Sequence, residues 1–304
     1  MTAGTMPELI SSGQTLDPSP AAYGELRSSM DAIDDAPELR RRMDADGYLY
    51  MPGYLDRELV FEARRTIVER LEREGALKPG TEPMSAVINA GVDFKFRPDL
   101  AKENSALETL LYSGRMIEFY ERFLGGAVRH FDYTWLRAVA PGRGTAPHGD
   151  SVFMNRGTHN LYTAWVPLGD VDYSLGGLIV LEKSHKVEAI KNEYGQLDVD
   201  SFCSNFPDAE LYQKGEKGWS GSISDDPFEL RRQLGVRWLS SEFRAGDLLT
   251  FTLFTLHASL DNHSDRIRIS SDSRYQLASE PIDERWVGEN PIGHGVAGKR
   301  GRIC

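Results

Sequence analysis

His148 and Asp150 stand two residues apart in PHGDS (147–151), just after the Pro/Gly-rich run AVAPGRGTAP. In an extended segment residues i and i+2 share a face, so one imidazole and one carboxylate can point at the same ion, and a third ligand must then come from another strand. His257, closing the apolar run DLLTFTLFTLH (247–257), is the candidate. Two neutral imidazoles and a carboxylate on one face of iron(II) leave three positions open, enough for a bidentate 2-oxo acid and O2.

Arg268 lies eleven residues beyond His257 in RIRISSDSRYQL (266–277). Strand alternation puts Arg266, Arg268, Ser270, Asp272 and Arg274 on one face and Ile267, Ile269 and Tyr275 on the other. A polar face on an inner wall needs a reason, and a planar guanidinium that matches the distal carboxylate of 2-oxoglutarate supplies one. Ser259 could donate a hydroxyl to the same carboxylate. In THNLYTAW (158–165) the same alternation groups His159, Leu161, Thr163 and Trp165, which places Trp165 on the pocket wall. Taken singly, a His-x-Asp pair is a polar turn as often as a site, and His257, Arg268 and Trp165 are ordinary core or strand residues. Their joint order carries the reading.

The elements that must position these groups read as follows. Residues 1–35, rich in Ser, Pro, Gly and Ala, suggest a loosely ordered arm with a short helix near 21–31. A single domain follows over 36–280, with a tail over 281–304. GYLYMPGYL (47–55) has strand character, Asp56 offers an N-cap for a helix over 56–75, and a second helical region spans 105–124 with a break at Ser113-Gly114. From residue 130 short β-rich runs recur at 132–140, 158–168, 176–182, 247–257 and 266–277, the texture of a sandwich or barrel. The polar stretch 186–242 reads as a lid or insertion, with Gly215, Gly218 and Gly221 as hinges and Phe202, Phe206, Trp219 and Phe228 as covering surface.

Composition narrows the partners. The 304 residues carry a formal net charge of −11, with the basic residues dispersed, which argues against nucleic acid and anionic membranes. No run approaches a membrane span and the N-terminus lacks a signal-peptide pattern, so the chain reads as a cytoplasmic protein with a small-molecule substrate. Cys203 and Cys304 are the only cysteines; they build no disulfide framework or cysteine zinc site, in keeping with a reducing compartment. PGRGTAPHG lacks the third glycine of a dinucleotide fingerprint, GEKGWSGS lacks the end of a P-loop, and no Gly-x-Ser-x-Gly elbow exists.

The ordered set DADGYLYMPGYLDRELV, His148-x-Asp150, TAWVPLGDVD with GGLIVLEKSHK, AGDLLTF, and HASLDNHSDRIRISSDSRYQ resembles the phytanoyl-CoA dioxygenase family of Fe(II)/2-oxoglutarate-dependent oxygenases over about residues 40–280. The resemblance implies a mainly β protein with flanking helices, built on a double-stranded β-helix (a cupin-like jelly roll). It implies iron(II) on His148, Asp150 and His257, 2-oxoglutarate on Arg268, and O2 as oxidant, the reaction being most simply hydroxylation of a small organic or acyl substrate with release of succinate and CO2. It further implies co-substrate contacts from Ser259, Trp165 and Leu136, and from an upstream basic residue, Lys95 or Arg97. Asp150 argues against the halogenases of the family, which carry a small residue there. Desaturation, cyclisation and epoxidation use the same ligands, and a metal-binding sensor or scaffold is the reading from another class. His185, in the Ser-His pair of EKSHK, is read as structural.

Overall fold

The computed structural model describes residues 8–304. Two antiparallel sheets face one another. The larger has the order Tyr48–Met51, Leu248–Thr252, Tyr162–Pro167, Arg268–Leu277, Val128–His130, with Trp135–Val139 also paired to Arg268–Leu277. The smaller runs His257–Ser259, Leu178–Leu181, Trp238–Ser240, Tyr23–Glu25, and only its last pairing is parallel. This is the expected jelly-roll arrangement, a double-stranded β-helix with helices on one flank.

The helices form where caps and periodicity place them. The Asp56 carboxylate accepts the backbone N–H groups of Glu58 and Leu59 and starts the helix Arg57–Arg73, whose buried face is Val60, Ala63, Ile67, Val68 and Leu71. The second region is split at Ser113 into Ser105–Tyr112 and Gly114–Leu124. These helices pack on the outer face of the larger sheet, against Leu136, Ala138, Ala164, Val166, Ile269 and Tyr275. The inner faces meet in a second cluster that includes Tyr50, Trp165, Phe243, Leu249, Val180 and Leu239. One face of each long strand is therefore committed to helices and the other to the barrel interior.

Three expectations change. Residues 8–35 are not a loose arm: Leu9, Leu16, Tyr23 and Leu26 are buried, and Tyr23–Glu25 extends the smaller sheet where a helix was expected near 21–31. Residues 1–7 of that arm lie outside the described residues. Cys203 and Cys304 are joined by a disulfide. The parallel pairing of Ser201–Cys203 with Arg300–Arg302 brings them together, a contact across 101 residues that no local pattern announces. The two cysteines thus no longer argue for a reducing compartment. Among the described residues no helix is long and apolar enough to cross a membrane.

His185 has the structural place expected of it. Its Nε2 bonds the Asp44 carbonyl at 2.8 Å, over the turn where Gly47 (φ 80°) ends the helix Ala36–Asp46 and starts the strand Tyr48–Met51. A Cβ on Gly47 would lie 2.3 Å from His185 Nδ1 and 2.8 Å from Thr255 Oγ1. Gly47→Ala combines left-handed strain with this overlap and is expected to lower stability by at least ~2 kcal/mol in urea unfolding. An unchanged midpoint would show that His185 and Thr255 do not fix this turn.

Candidate metal centre

His148 and His257 form an antiparallel bridge: each N–H donates to the other's carbonyl, at 3.0 and 2.9 Å. The two imidazoles are thereby held on neighbouring segments with ring centroids 4.3 Å apart. Gly149 is extended (φ −116°, ψ 145°), which turns Asp150 to the same side as His148 before a short 3-10 turn begins. One ligand atom from each of His148, Asp150 and His257 lies within 4.8 Å of the others, and all three residues are buried.

Tautomers follow from the neighbours. His148 Nδ1 is 2.8 Å from the Ala146 carbonyl and His257 Nδ1 is 3.1 Å from the Thr255 carbonyl; a carbonyl only accepts, so both Nδ1 atoms carry the proton and both Nε2 atoms are left to bind a cation. Burial, together with the other imidazole, pushes the His148 pKa down to about 3, and burial lowers that of His257. Both rings are therefore neutral ligands near pH 7.

Asp150 is the opposite case. Burial alone would raise its pKa, but the positive charge of Arg274, helped by the two histidines and a hydrogen bond from Thr163, holds it well below the usual carboxylate range. Arg274 Nη2 sits 2.9 Å from Asp150 Oδ2, the oxygen to which the Thr163 hydroxyl also donates. Oδ1, 3.9 Å from His257 Nε2, is left facing the cluster. The carboxylate thus offers one oxygen to a metal and is gripped by the other. The Arg274 guanidinium lies over Trp135, its carbon 4.1 Å from the ring centroid.

Arg268 is 1% exposed, with Nη1 3.1 Å from Ser270 Oγ and Nε buried without a partner among the described residues. Burial and the nearby charge of Arg137 lower its pKa to about 10. A buried guanidinium in this condition calls for an anion, and a carboxylate fits its fork. Ser259 Oγ accepts the Thr145 N–H at 2.8 Å, which leaves its own proton to donate. Arg268, Ser259, His148 and His257 line one small cavity with Arg137, Thr145 and Asp272. The donor set therefore fits iron(II) and a dicarboxylic 2-oxo acid.

Three expected contacts are placed elsewhere. Trp165 shares the inward face with Thr163 but packs in the core, 4.7 Å from Phe243, and is not among the walls of the small cavity. Leu136 faces the helices, because on Trp135–Val139 the odd residues face inward. Lys95 is exposed and lines neither cavity, while Arg97 pairs with Glu74 and Asp99. The basic residue that the strand Trp135–Val139 turns toward the cluster is Arg137, one position from Leu136, with Nε 2.7 Å from Asp272. Arg274 and Thr163 were both on the inward faces read from sequence; only their convergence on Asp150 was hidden.

A larger cavity of about 390 Å³ opens from the cluster, walled by Phe96, Trp135, Phe153 and Met154 and by polar groups including Ser220, Ser222 and His294. The stretch 186–242 does reach it, but not through the aromatics proposed for cover: Phe206 and Trp219 are exposed. Gly221 packs tightly there: a Cβ on it would lie 2.1 Å from the Phe153 ring. Tyr194 ties the segment to the metal loop, its hydroxyl donating to Gly221 O and accepting from Gly149 N.

The family model of phytanoyl-CoA dioxygenase (PhyH) matches residues 43–270. Two curated relatives are 1-deoxypentalenic acid 11-beta-hydroxylases: that of Streptomyces exfoliatus is 29% identical over 81% of this chain and 83% of its own length, and that of Streptomyces arenae is 26% identical over the same shares. Among solved structures, the non-heme alpha ketoglutarate dependent carbocyclase SnoK from nogalamycin biosynthesis aligns with a TM-score of 0.56 at 20% identity, over 85% of this chain and 89% of its own. EctD from S. alaskensis, solved with 2-oxoglutarate and 5-hydroxyectoine, aligns with a TM-score of 0.56 at 16% identity over 100% and 94%.

The grip on Asp150 Oδ2 generates an expectation. Thr163→Val keeps the shape and loses the donor, and should weaken iron(II) binding about tenfold, the usual effect of removing an outer-shell partner. Arg274→Met leaves a buried carboxylate unpaired and should in addition destabilise the metal-free protein by ~3 kcal/mol. Anaerobic iron titration and urea unfolding read the two effects; wild-type values in both variants would mean that Oδ2 needs no support.

Proposed function

The chain belongs to the phytanoyl-CoA dioxygenase family, and from that premise we propose that it hydroxylates a small, largely hydrocarbon substrate, with iron(II) held by His148, Asp150 and His257. The protein is an iron- and 2-oxoglutarate-dependent oxygenase. The observation that carries the residue assignment is the buried His148–Asp150–His257 cluster beside a buried Arg268 that lacks a carboxylate partner. Hydroxylation is favoured over other oxidative outcomes by the named activity of the curated relatives.

Iron(II) with 2-oxoglutarate supplies oxidation of substrate carbon by O2, with release of succinate and CO2. The chain's own residues bind and orient. Arg268 and Ser259 would hold the distal carboxylate of 2-oxoglutarate, and the neutral Nε2 atoms of His148 and His257 with Asp150 Oδ1 would hold the metal. Arg137, which lines both cavities, sits at the boundary between co-substrate and substrate. The rings of Phe96, Trp135, Phe153 and Met154's thioether exclude water and offer a hydrocarbon surface to the substrate.

Anaerobic addition of iron(II) and 2-oxoglutarate should produce a visible charge-transfer band. His257→Ala should abolish the band and bound iron; their retention would remove His257 from the ligand set. Arg268→Lys keeps the charge and loses the planar fork, so the affinity for 2-oxoglutarate should fall roughly tenfold, about 1.4 kcal/mol. An unchanged affinity would shift the anchor to Arg137 or Arg274.

A further inference from the structure

The family match ends at residue 270, yet the chain beyond it closes the substrate cavity. His294 lines that cavity together with His148 and Asp150. A single ring, Phe153, separates it from the metal cluster: Phe153 is 5.6 Å from the His294 ring and 5.7 Å from the His148 ring, centroid to centroid. Trp286 packs against the other side of His294 at 4.7 Å.

The imidazole is oriented as well as packed. Its Nδ1 is 2.8 Å from Asp200 Oδ2, and Asp200 is wholly buried. Arg285 Nη1 bonds the same carboxylate at 2.5 Å and Lys299 Nζ bonds Oδ1 at 2.9 Å, so Asp200 is compensated by two further cations without His294. Arg285 also binds Asp283 and the Phe153 carbonyl, and Arg156 joins Asp198 to the Gly298 carbonyl. The pairing of Arg300–Arg302 with Ser201–Cys203 and the Cys203–Cys304 disulfide complete the clasp. Structural stability would be served by any group that fills the space between Phe153 and Trp286. The imidazole is fixed by a carboxylate at one nitrogen, its side chain is one-third exposed and it lines the cavity, so its other nitrogen is free of any protein partner among the described residues and available to a ligand.

We propose that His294, oriented by Asp200, is a specificity-determining residue that hydrogen-bonds a hydroxyl or carboxyl oxygen of the substrate, at the end of the molecule away from the carbon that is oxidised. This rests on the oxygenase reading above. Phe96, Trp135, Phe153 and Met154 give the cavity its apolar surface, while Arg137, Arg274 and Asp225 are charged groups on the same walls; the apolar part fits a compact hydrocarbon skeleton bearing one such oxygen function. Imidazole Nε2 can accept from a hydroxyl or, protonated, donate to a carboxylate.

The test uses four probes that share one skeleton: 1-deoxypentalenic acid, the matching alcohol, the methyl ester and the parent hydrocarbon. Each is titrated anaerobically into full-length protein loaded with iron(II) and 2-oxoglutarate, with the visible band as readout. The acid or the alcohol should perturb the band more strongly than the hydrocarbon, the better of the two identifying the oxygen function. His294→Phe keeps the ring between Phe153 and Trp286, and should weaken that probe about tenfold or more. It should leave the unperturbed band unchanged, while His294→Gln recovers part of the loss. Equal binding of hydrocarbon and oxygenated probes, equal binding by His294→Phe, or no response to any probe in the wild type would overturn the proposal. Failure of the oxygenase reading would look different, because the band itself would not form.

Discussion

The ion pair between Asp150 and Arg274 is the constraint on which the interior depends. Both side chains are about 3% exposed, so neither charge is solvated and each needs the other. The pair spans 124 residues of sequence and couples the loop that carries two of the proposed metal ligands to the longest strand of the protein. That strand, Arg268–Leu277, turns Arg268, Ser270, Asp272 and Arg274 inward, and Asp272 in turn neutralises Arg137. A row of charges inside a β-barrel is affordable only when it closes into pairs. Arg268 is the member with no carboxylate partner among the described residues, and the proposed anchoring of 2-oxoglutarate rests on that.

The outer face of the same strand carries the opposite burden. Ile269 and Tyr275 meet the helices, with the Tyr275 hydroxyl bonded to the Leu111 carbonyl and its ring stacked on Tyr120 at 4.1 Å. A slip of one residue would exchange Arg268 and Arg274 for Ile269 and Tyr275, so helix packing on one face enforces the register that the ion pairs on the other require. Stability and site geometry are therefore set by one alternation.

That alternation was legible in the sequence, and the structure brings His148, Asp150 and His257 into one cluster and His148, His257, Ser259 and Arg268 onto one cavity. What stayed hidden depends on phase and on distant pairing. Leu136 and Arg137 differ by one position, and an isolated short strand does not declare which of its faces is inward; Arg268 pairing with Val139 decides it. Trp165 was assigned to the right face but to the wrong depth, because alternation says nothing about distance along the barrel axis. Lys95 lies in a loop, where no period applies. The burial of Leu9, Leu16 and Tyr23 and the Cys203–Cys304 bond arise from contacts over roughly one hundred residues or more, and composition averages over a segment rather than reporting its partners.

The molecule also divides its labour by region. The groups that would hold metal and 2-oxoglutarate lie on paired strands or in the loop bridged to His257, all within residues 43–270. The groups that shape the far end of the substrate cavity come from Ser220 and Ser222 in a loop and from His294 in the terminal segment. Loops tolerate change that a paired strand cannot, because altering them leaves the ladder and its register untouched. The ionic clasp around Asp200 and Arg285 then serves a purpose beyond holding a tail in place: it gives a loop-borne imidazole the fixed orientation that a strand would otherwise provide. Substrate choice can in this way vary while the chemistry next to it is kept still.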